Sequence, residues 1–110
     1  MAYIPDRGDL VWLNFNPQAG REQAKRRPAL VLSPHAYNRK VGLVIVCPIT
    51  SKVKGYPFEV ELPSHLQVAG VVLADQVKSM DWQVREIEFI DKAPNPVIQD
   101  VSGKIKALLP

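Results

Sequence analysis

The chain has 110 residues, 46% of them hydrophobic, with a formal net charge of +3, two histidines and one cysteine. That length builds one domain with its own core, spanning residues 1–110, and excludes a second. One cysteine excludes a disulfide scaffold, two histidines beside it are too few for structural zinc, and no apolar run is long enough to span a bilayer.

Met1–Asp6 carries no cleavable signal, so a cytoplasmic protein without membrane contact is expected, its Cys47 buried and reduced. The carboxylates are not clustered at a spacing that points to magnesium, and neither a metal nor a cofactor is expected. Charge is uneven along the chain. Residues 1–55 carry nine lysines and arginines against Asp6, Asp9 and Glu22, a net +6, whereas residues 56–110 carry five against eight acids, a net −3. A basic front half attracts polyanions.

In chain order, Leu10–Phe15 is a short apolar run opened by the turn pair Gly8-Asp9, and it reads as a strand with Trp12 and Phe15 in the core. Arg21, Lys25, Arg26 and Arg27 then crowd a polar loop, with Glu22 among them. Pro28 drops the chain into the strand Ala29–Ser33 and restricts Arg27 before it. A guanidinium presents a planar fork of donors that suits phosphate oxygens. Ser33–Asn38 reads as a surface loop in which His35 and Tyr37 could meet RNA bases.

Gly42–Cys47 is a β-branched run that leads into a second polar landing, Pro48-Ile-Thr-Ser51. The hydroxyls of Thr50 and Ser51 can bind a phosphate oxygen or simply form a turn. Lys52 and Lys54 follow, and Tyr56, between Gly55 and Pro57, reads as an exposed stacking platform. Phe58–Leu62 alternates cleanly. Gly70–Ala74, Gln76–Met80 and Glu86–Ile90 complete the strands, with Asp75 read first as a turn residue and second as an inward site carboxylate. His65 is given no role.

After Asn95-Pro96 the period changes. Val97, Ile98, Val101, Ile105, Leu108 and Leu109 fall three and four apart, which predicts an amphipathic helix with Asn95 as N-cap and Pro96 at its first position. The expected fold is therefore mainly β: a compact barrel of short antiparallel strands capped by a C-terminal helix.

Several segments, in order, resemble the MazF/PemK toxins. They are Gly8–Trp12, Glu22–Ala24 with Arg27-Pro28-Ala29, Val31–Pro34, Tyr37-Asn38, Pro48–Thr50, Lys54–Val60 and Ala74–Ser79. The resemblance implies an SH3-like barrel, MazF/CcdB-like, acting as a homodimer. It further implies a metal-independent endoribonuclease that cuts single-stranded RNA at short sequences and is neutralised by a cognate acidic, MazE-like antitoxin. Matched position by position, the catalytic arginine is Arg27, the catalytic threonine Thr50 and the nearby acid Glu22. The implied chemistry is attack of the ribose 2′-hydroxyl on its own phosphorus. RNA contacts are then expected from Arg21, Lys25, Arg26, Ser51, Lys54, Tyr56, Asp75 and Gln76. Two alternatives share the barrel without needing Arg27 and Thr50: a CcdB-like toxin that poisons gyrase, and a binding module without turnover.

Overall fold

Alternate residues of the first strand, β1 (Asp9–Asn14), enter two different cores, and the same division runs through the centre of the sheet. In this computed structural model, which describes residues 2–15 and 26–109, β1 is followed by β2 (Arg26–Val31), helix α1 (His35–Val41) and the long β3 (Leu43–Thr50). Four shorter strands come next: β4 (Glu59–Glu61), β5 (Val71–Leu73), β6 (Lys78–Asp81) and β7 (Glu88–Lys92). Helix α2 (Asn95–Leu108) ends the chain.

The strands are antiparallel in the order β4-β5-β3-β2-β1-β7. β3 is shared along its length. Its first half pairs with β6, from Leu43 opposite Asp81 to Val46 opposite Lys78, and its end pairs with β5, where Thr50 lies opposite Val71. The mainly β architecture with a C-terminal helix is the expected one. Its barrel is a coiled sheet whose outer strands, β4 and β7, are not joined to each other.

Leu10, Leu30, Cys47, Ile49 and Val72 face α2 and pack with Val97, Ile98 and Val101. Val11, Leu13, Phe15, Ala29, Val31, Val44 and Val46 face the other way, onto Met80 and Trp82. Because both faces are covered, β1 to β3 read as continuous apolar runs rather than as clean alternation. Asp9, 3% exposed, is the main charge in this region. Its carboxylate accepts from the Tyr3 hydroxyl and the Asp6 N–H, and pairs with Lys92 Nζ at 2.8 Å.

Several expectations are corrected here, the first being that Arg26 and Arg27 open β2 rather than lie in the loop before it. Ser33–Asn38 is not a surface loop, since His35–Val41 forms α1. Asn38 is fully buried, and its Nδ2 donates to Pro5 O (2.8 Å) and Ser33 O (3.0 Å). Its Oδ1 accepts from Ser33 Oγ (2.6 Å), and its carbonyl accepts the Trp82 indole N–H (3.0 Å). Gly42, with φ +80°, closes α1 by donating its N–H to that same carbonyl. Trp12, opposite Pro28 and Glu88 and on the same face of β1 as Leu10, is 37% exposed rather than core, whereas Phe15 is buried as expected. In α2, Pro94 occupies the cap, with no side-chain capping bond, and Asn95 is the first helical residue. Val97, Ile98 and Val101 are buried as the spacing predicts, but Leu108 and Leu109, at the end of the helix, are exposed.

Candidate active site

Strand register brings the two leading residues together. β2 pairs with β3 through Ala29 opposite Pro48 and Leu30 opposite Cys47. Continuing that antiparallel count by two residues sets Arg27 level with Thr50 at the open end of the strand pair. Both side chains line an open cleft of about 430 Å³, together with Phe15, Pro48, Leu73, Gln76 and Lys78. A second opening, about 300 Å³, adjoins it and is lined by Arg27, Pro28, Thr50, Ser51 and Lys52. A third, about 210 Å³, runs from Thr50 to Lys54, Tyr56, Phe58, Glu59, Asp75 and Gln76. Thr50 belongs to all three.

The end of β3 is held from two sides. Thr50 Oγ1 accepts the Lys52 N–H at 3.1 Å, which orients the hydroxyl and leaves its own proton available for donation. Behind it, Gly70 has φ +122°, and a Cβ there would stand 2.2 Å from the Thr50 carbonyl oxygen. Only glycine permits β5 to enter so close to the backbone that carries Thr50.

The loop after Thr50 is pinned by Glu59. Its carboxylate accepts the N–H of Gly55 at 2.9 Å and that of Lys54 at 3.2 Å. The Tyr56 ring stacks on Phe58 with centroids 5.4 Å apart, and Tyr56 is half exposed, as the sequence predicts. Asp75 and Gln76 lie in a 3₁₀ turn, Ala74–Gln76, that joins β5 to β6. Asp75 is thus a turn residue and also part of the third opening's wall. Gln76, expected to begin a strand, sits in that turn.

The cleft is cationic. Arg27, Lys52, Lys54 and Lys78 border it, against Glu59 and Asp75. Lys78 was not among the expected contacts. Its Nζ stands 5.5 Å from the centroid of the buried Phe15 ring, a cation–π placement that aims the charge at the opening. Lys78 and Phe15 reach the cleft from β6 and from the end of β1. Cys47, next to Pro48 on β3, is buried, and burial pushes its thiol up to about 12, with Asp75 adding to the shift.

Arg26 does not share the cleft. Its guanidinium donates to Glu86 O at 2.7 Å and pairs with Glu88 at 2.9 Å, on the side towards β7. The side chains of neighbouring strand residues point to opposite faces, and so Arg27 gains what Arg26 forgoes. Arg21, Glu22 and Lys25 lie outside the described residues. Among the described residues no group of three His, Cys, Asp or Glu side chains is placed to hold a metal.

A small coiled antiparallel sheet backed by one helix, with a cationic cleft at its open end, is the architecture of a class of bacterial toxins. The MazF chain in the crystal structure of a MazE–MazF complex from Deinococcus radiodurans superposes with a TM-score of 0.92 at 60% identity, covering 98% of this chain and 97% of that one. This chain belongs to the PemK-like, MazF-like toxins of type II toxin–antitoxin systems, whose family pattern it matches over residues 6–109. It is 47% identical to the endoribonuclease toxin MazF of Escherichia coli K12, over 97% of this chain and 96% of that protein. The endoribonuclease PemK of Escherichia coli is 31% identical, over 94% of this chain and 81% of its own length.

Proposed function

We propose that the chain is an endoribonuclease toxin that cleaves single-stranded RNA and is neutralised by a cognate acidic antitoxin. The observation that carries this reading is the convergence of Arg27 and Thr50 on one cationic cleft, in a chain whose relatives bear the name endoribonuclease. The cleft receives the scissile phosphate. Arg27 places its guanidinium against the non-bridging oxygens, where charge accumulates as the 2′-oxygen attacks phosphorus, and Thr50 donates its hydroxyl to the same group. The P–O5′ bond breaks and the leaving O5′ takes up a proton from water or from the site acid that received the 2′ proton, leaving a 2′,3′-cyclic phosphate and a 5′-hydroxyl.

The substrate supplies the nucleophile, so no nucleophilic side chain is required. A guanidinium is a permanent cation and acts as donor, not base. The 2′ proton passes to an acid of the site or to water; Glu22 and Asp75 are the two acids for which the sequence supports such a role. Arg21 and Lys25, together with the lysines of the cleft, attract the RNA backbone and, in the inhibited state, the acidic antitoxin. The active species is a homodimer in the cytoplasm, where messenger RNA is the substrate. No helix of the described residues is long and apolar enough to cross a membrane.

The test is digestion of a long single-stranded RNA in excess EDTA, with the ends of the products sequenced. Cleavage with cyclic-phosphate ends is expected from the wild type, and an all-deoxy copy should survive because it lacks the 2′-hydroxyl. Arg27→Ala should cut about 100- to 1000-fold more slowly. RNA left intact by the wild type, or cut equally fast by Arg27→Ala, overturns the reading. Inhibition of gyrase supercoiling without RNA cleavage would favour the gyrase-poisoning alternative instead.

A further inference from the structure

The start of β2 is paired on one side only. Arg26, Arg27 and Pro28 lie opposite Asn14, Leu13 and Trp12 of β1, whereas pairing with β3 begins at Ala29. Pro28 has no N–H to give to the ladder, and neither has Pro48, which stands opposite Ala29. Arg27 therefore projects from a corner of the sheet poor in ladder bonds, and from there it lines the cleft with Thr50.

A turn from a distant part of the chain grips that corner. Between the 3₁₀ turn Trp82–Val84 and β7, Asn14 N–H donates to Arg85 O at 2.9 Å, and Arg85 Nη1 donates to Asn14 O at 3.1 Å. One residue on, Arg26 Nη1 donates to Glu86 O at 2.7 Å, while its Nη2 donates to Glu88 Oε1 at 2.9 Å. The end of β1 and the start of β2 are thus fastened to the same few residues. Among the described residues, Glu86 is the one non-glycine with positive φ, +54°, a conformation that side chains disfavour. Surrounding contacts hold a backbone there, and Arg26 is one of them.

An exposed ion pair adds little stability. What this one sets is geometry. Arg26 and Arg27 share a rigid peptide plane, so a swing of the backbone at Arg26 moves the base of the Arg27 side chain. Pro28 limits Arg27 from the other side.

We infer that Arg26 is a positioning residue for Arg27: its fork fastens the start of β2 to the turn at 85–88 and fixes the backbone from which Arg27 enters the cleft. This rests on the proposed ribonuclease activity, and it takes Arg26 out of the RNA contacts that the family resemblance implies.

The experiment is steady-state cleavage, at several salt concentrations, of a single-stranded RNA that carries one cut site mapped in the digest above. Arg26→Ala should lower kcat by about tenfold, with KM, its salt dependence and the melting temperature close to those of the wild type. Glu88→Ala should also lower kcat, although it leaves the chain more positive. An RNA-contacting Arg26 gives the opposite pattern: Arg26→Ala raises KM and flattens its salt dependence, and Glu88→Ala, by freeing a cation, lowers KM. Arg26→Lys keeps the charge without the fork and should recover only part of the loss. In an Arg27→Ala background, Arg26→Ala should change kcat no further, because its effect passes through Arg27. Additive losses in that cycle, or the RNA-contact pattern, overturn the positioning role and leave the ribonuclease reading standing. Should Arg26→Ala fail to fold, Glu88→Ala, at an exposed position of β7, carries the test: cleavage as fast as that of the wild type overturns the role. No cutting by the wild type overturns both.

Discussion

Cys47 and Thr50 stand three residues apart on β3 and illustrate how differently neighbouring polar groups are treated. The Cys47 thiol is fully buried and kept neutral, its value pushed up to about 12 from an ordinary 9.0 by burial first and by Asp75 second. Between those two values the folded chain holds a proton that the unfolded chain has released. Stability from this group is therefore fully present below about pH 9 and is lost as pH rises towards 12. Thermal melts across pH 8 to 10 should fall with a slope that Cys47→Ala makes shallower, even though that variant starts from a lower melting temperature. A slope unchanged in the variant would show that Cys47 contributes nothing to the alkaline loss. Thr50, by contrast, keeps its hydroxyl at the cleft, and Thr50→Ser should retain far more cleavage than Thr50→Val. Side-chain type and strand-end position alone leave Arg27 and Thr50 open to an ordinary loop or turn reading, and it is the ordered resemblance to the toxin family that singles them out in the sequence. Lys78 was not singled out, because what makes it a cleft residue is its nearness to Phe15, 63 positions away in the chain.

Elements meet this site through contacts that tolerate little change. Gly70 at the start of β5 leaves no room for a side chain against the Thr50 carbonyl. Gly70→Ala, at φ +122° and with a Cβ 2.2 Å from that oxygen, should cost about 1–3 kcal/mol and shift the end of β3. Its melting temperature should fall and its RNA cleavage should fall further than that of an equally destabilised core variant away from the cleft. Equal losses would mean that the contact is only structural. On the other side of the sheet, α1 is fixed through Asn38, whose side chain and carbonyl tie together Pro5, Ser33 and Trp82. Asn38→Leu keeps the carbonyl that Trp82 bonds but removes the side-chain partner of Pro5 O, Ser33 O and Ser33 Oγ, and should destabilise the fold by about 2–4 kcal/mol in chemical denaturation. Seven residues with one buried side chain have no apolar stripe, which is why the sequence pattern around His35 predicts a loop instead of α1. Helix α2 was legible because Val97, Ile98 and Val101 repeat with helical spacing against the sheet.

At the scale of the molecule, the charge asymmetry of the sequence acquires a location. Arg27, Lys52 and Lys54 of the front half, joined by Lys78 from the back half, border one open end of the coiled sheet, whereas Arg7, Arg26, Arg39 and Lys40 lie elsewhere. Acids of the back half, such as Glu86 and Glu88, lie elsewhere and neutralise Arg26. An acidic antitoxin that covers the cleft should therefore bind more weakly as salt rises, by about tenfold or more between 50 and 300 mM, and calorimetric titration will measure it. Affinity that does not change with salt would assign the association to apolar contacts instead.

The sequence by itself determined the strands, the C-terminal helix, the chemical types at Arg27 and Thr50, and the ordered pattern that placed the chain in its toxin family. These are local properties: period, turn residues and side-chain chemistry survive in any short window of the chain. Only the tertiary structure decided that Arg26 turns away while Arg27 faces the cleft, that Trp12 points outward, and that Lys78, Asp75 and Gln76 converge on Thr50. Those outcomes depend on strand order and register. A strand's alternation separates its two faces but does not say which face meets the core or which distant strand lies beside it, and pairing across the whole chain settles both.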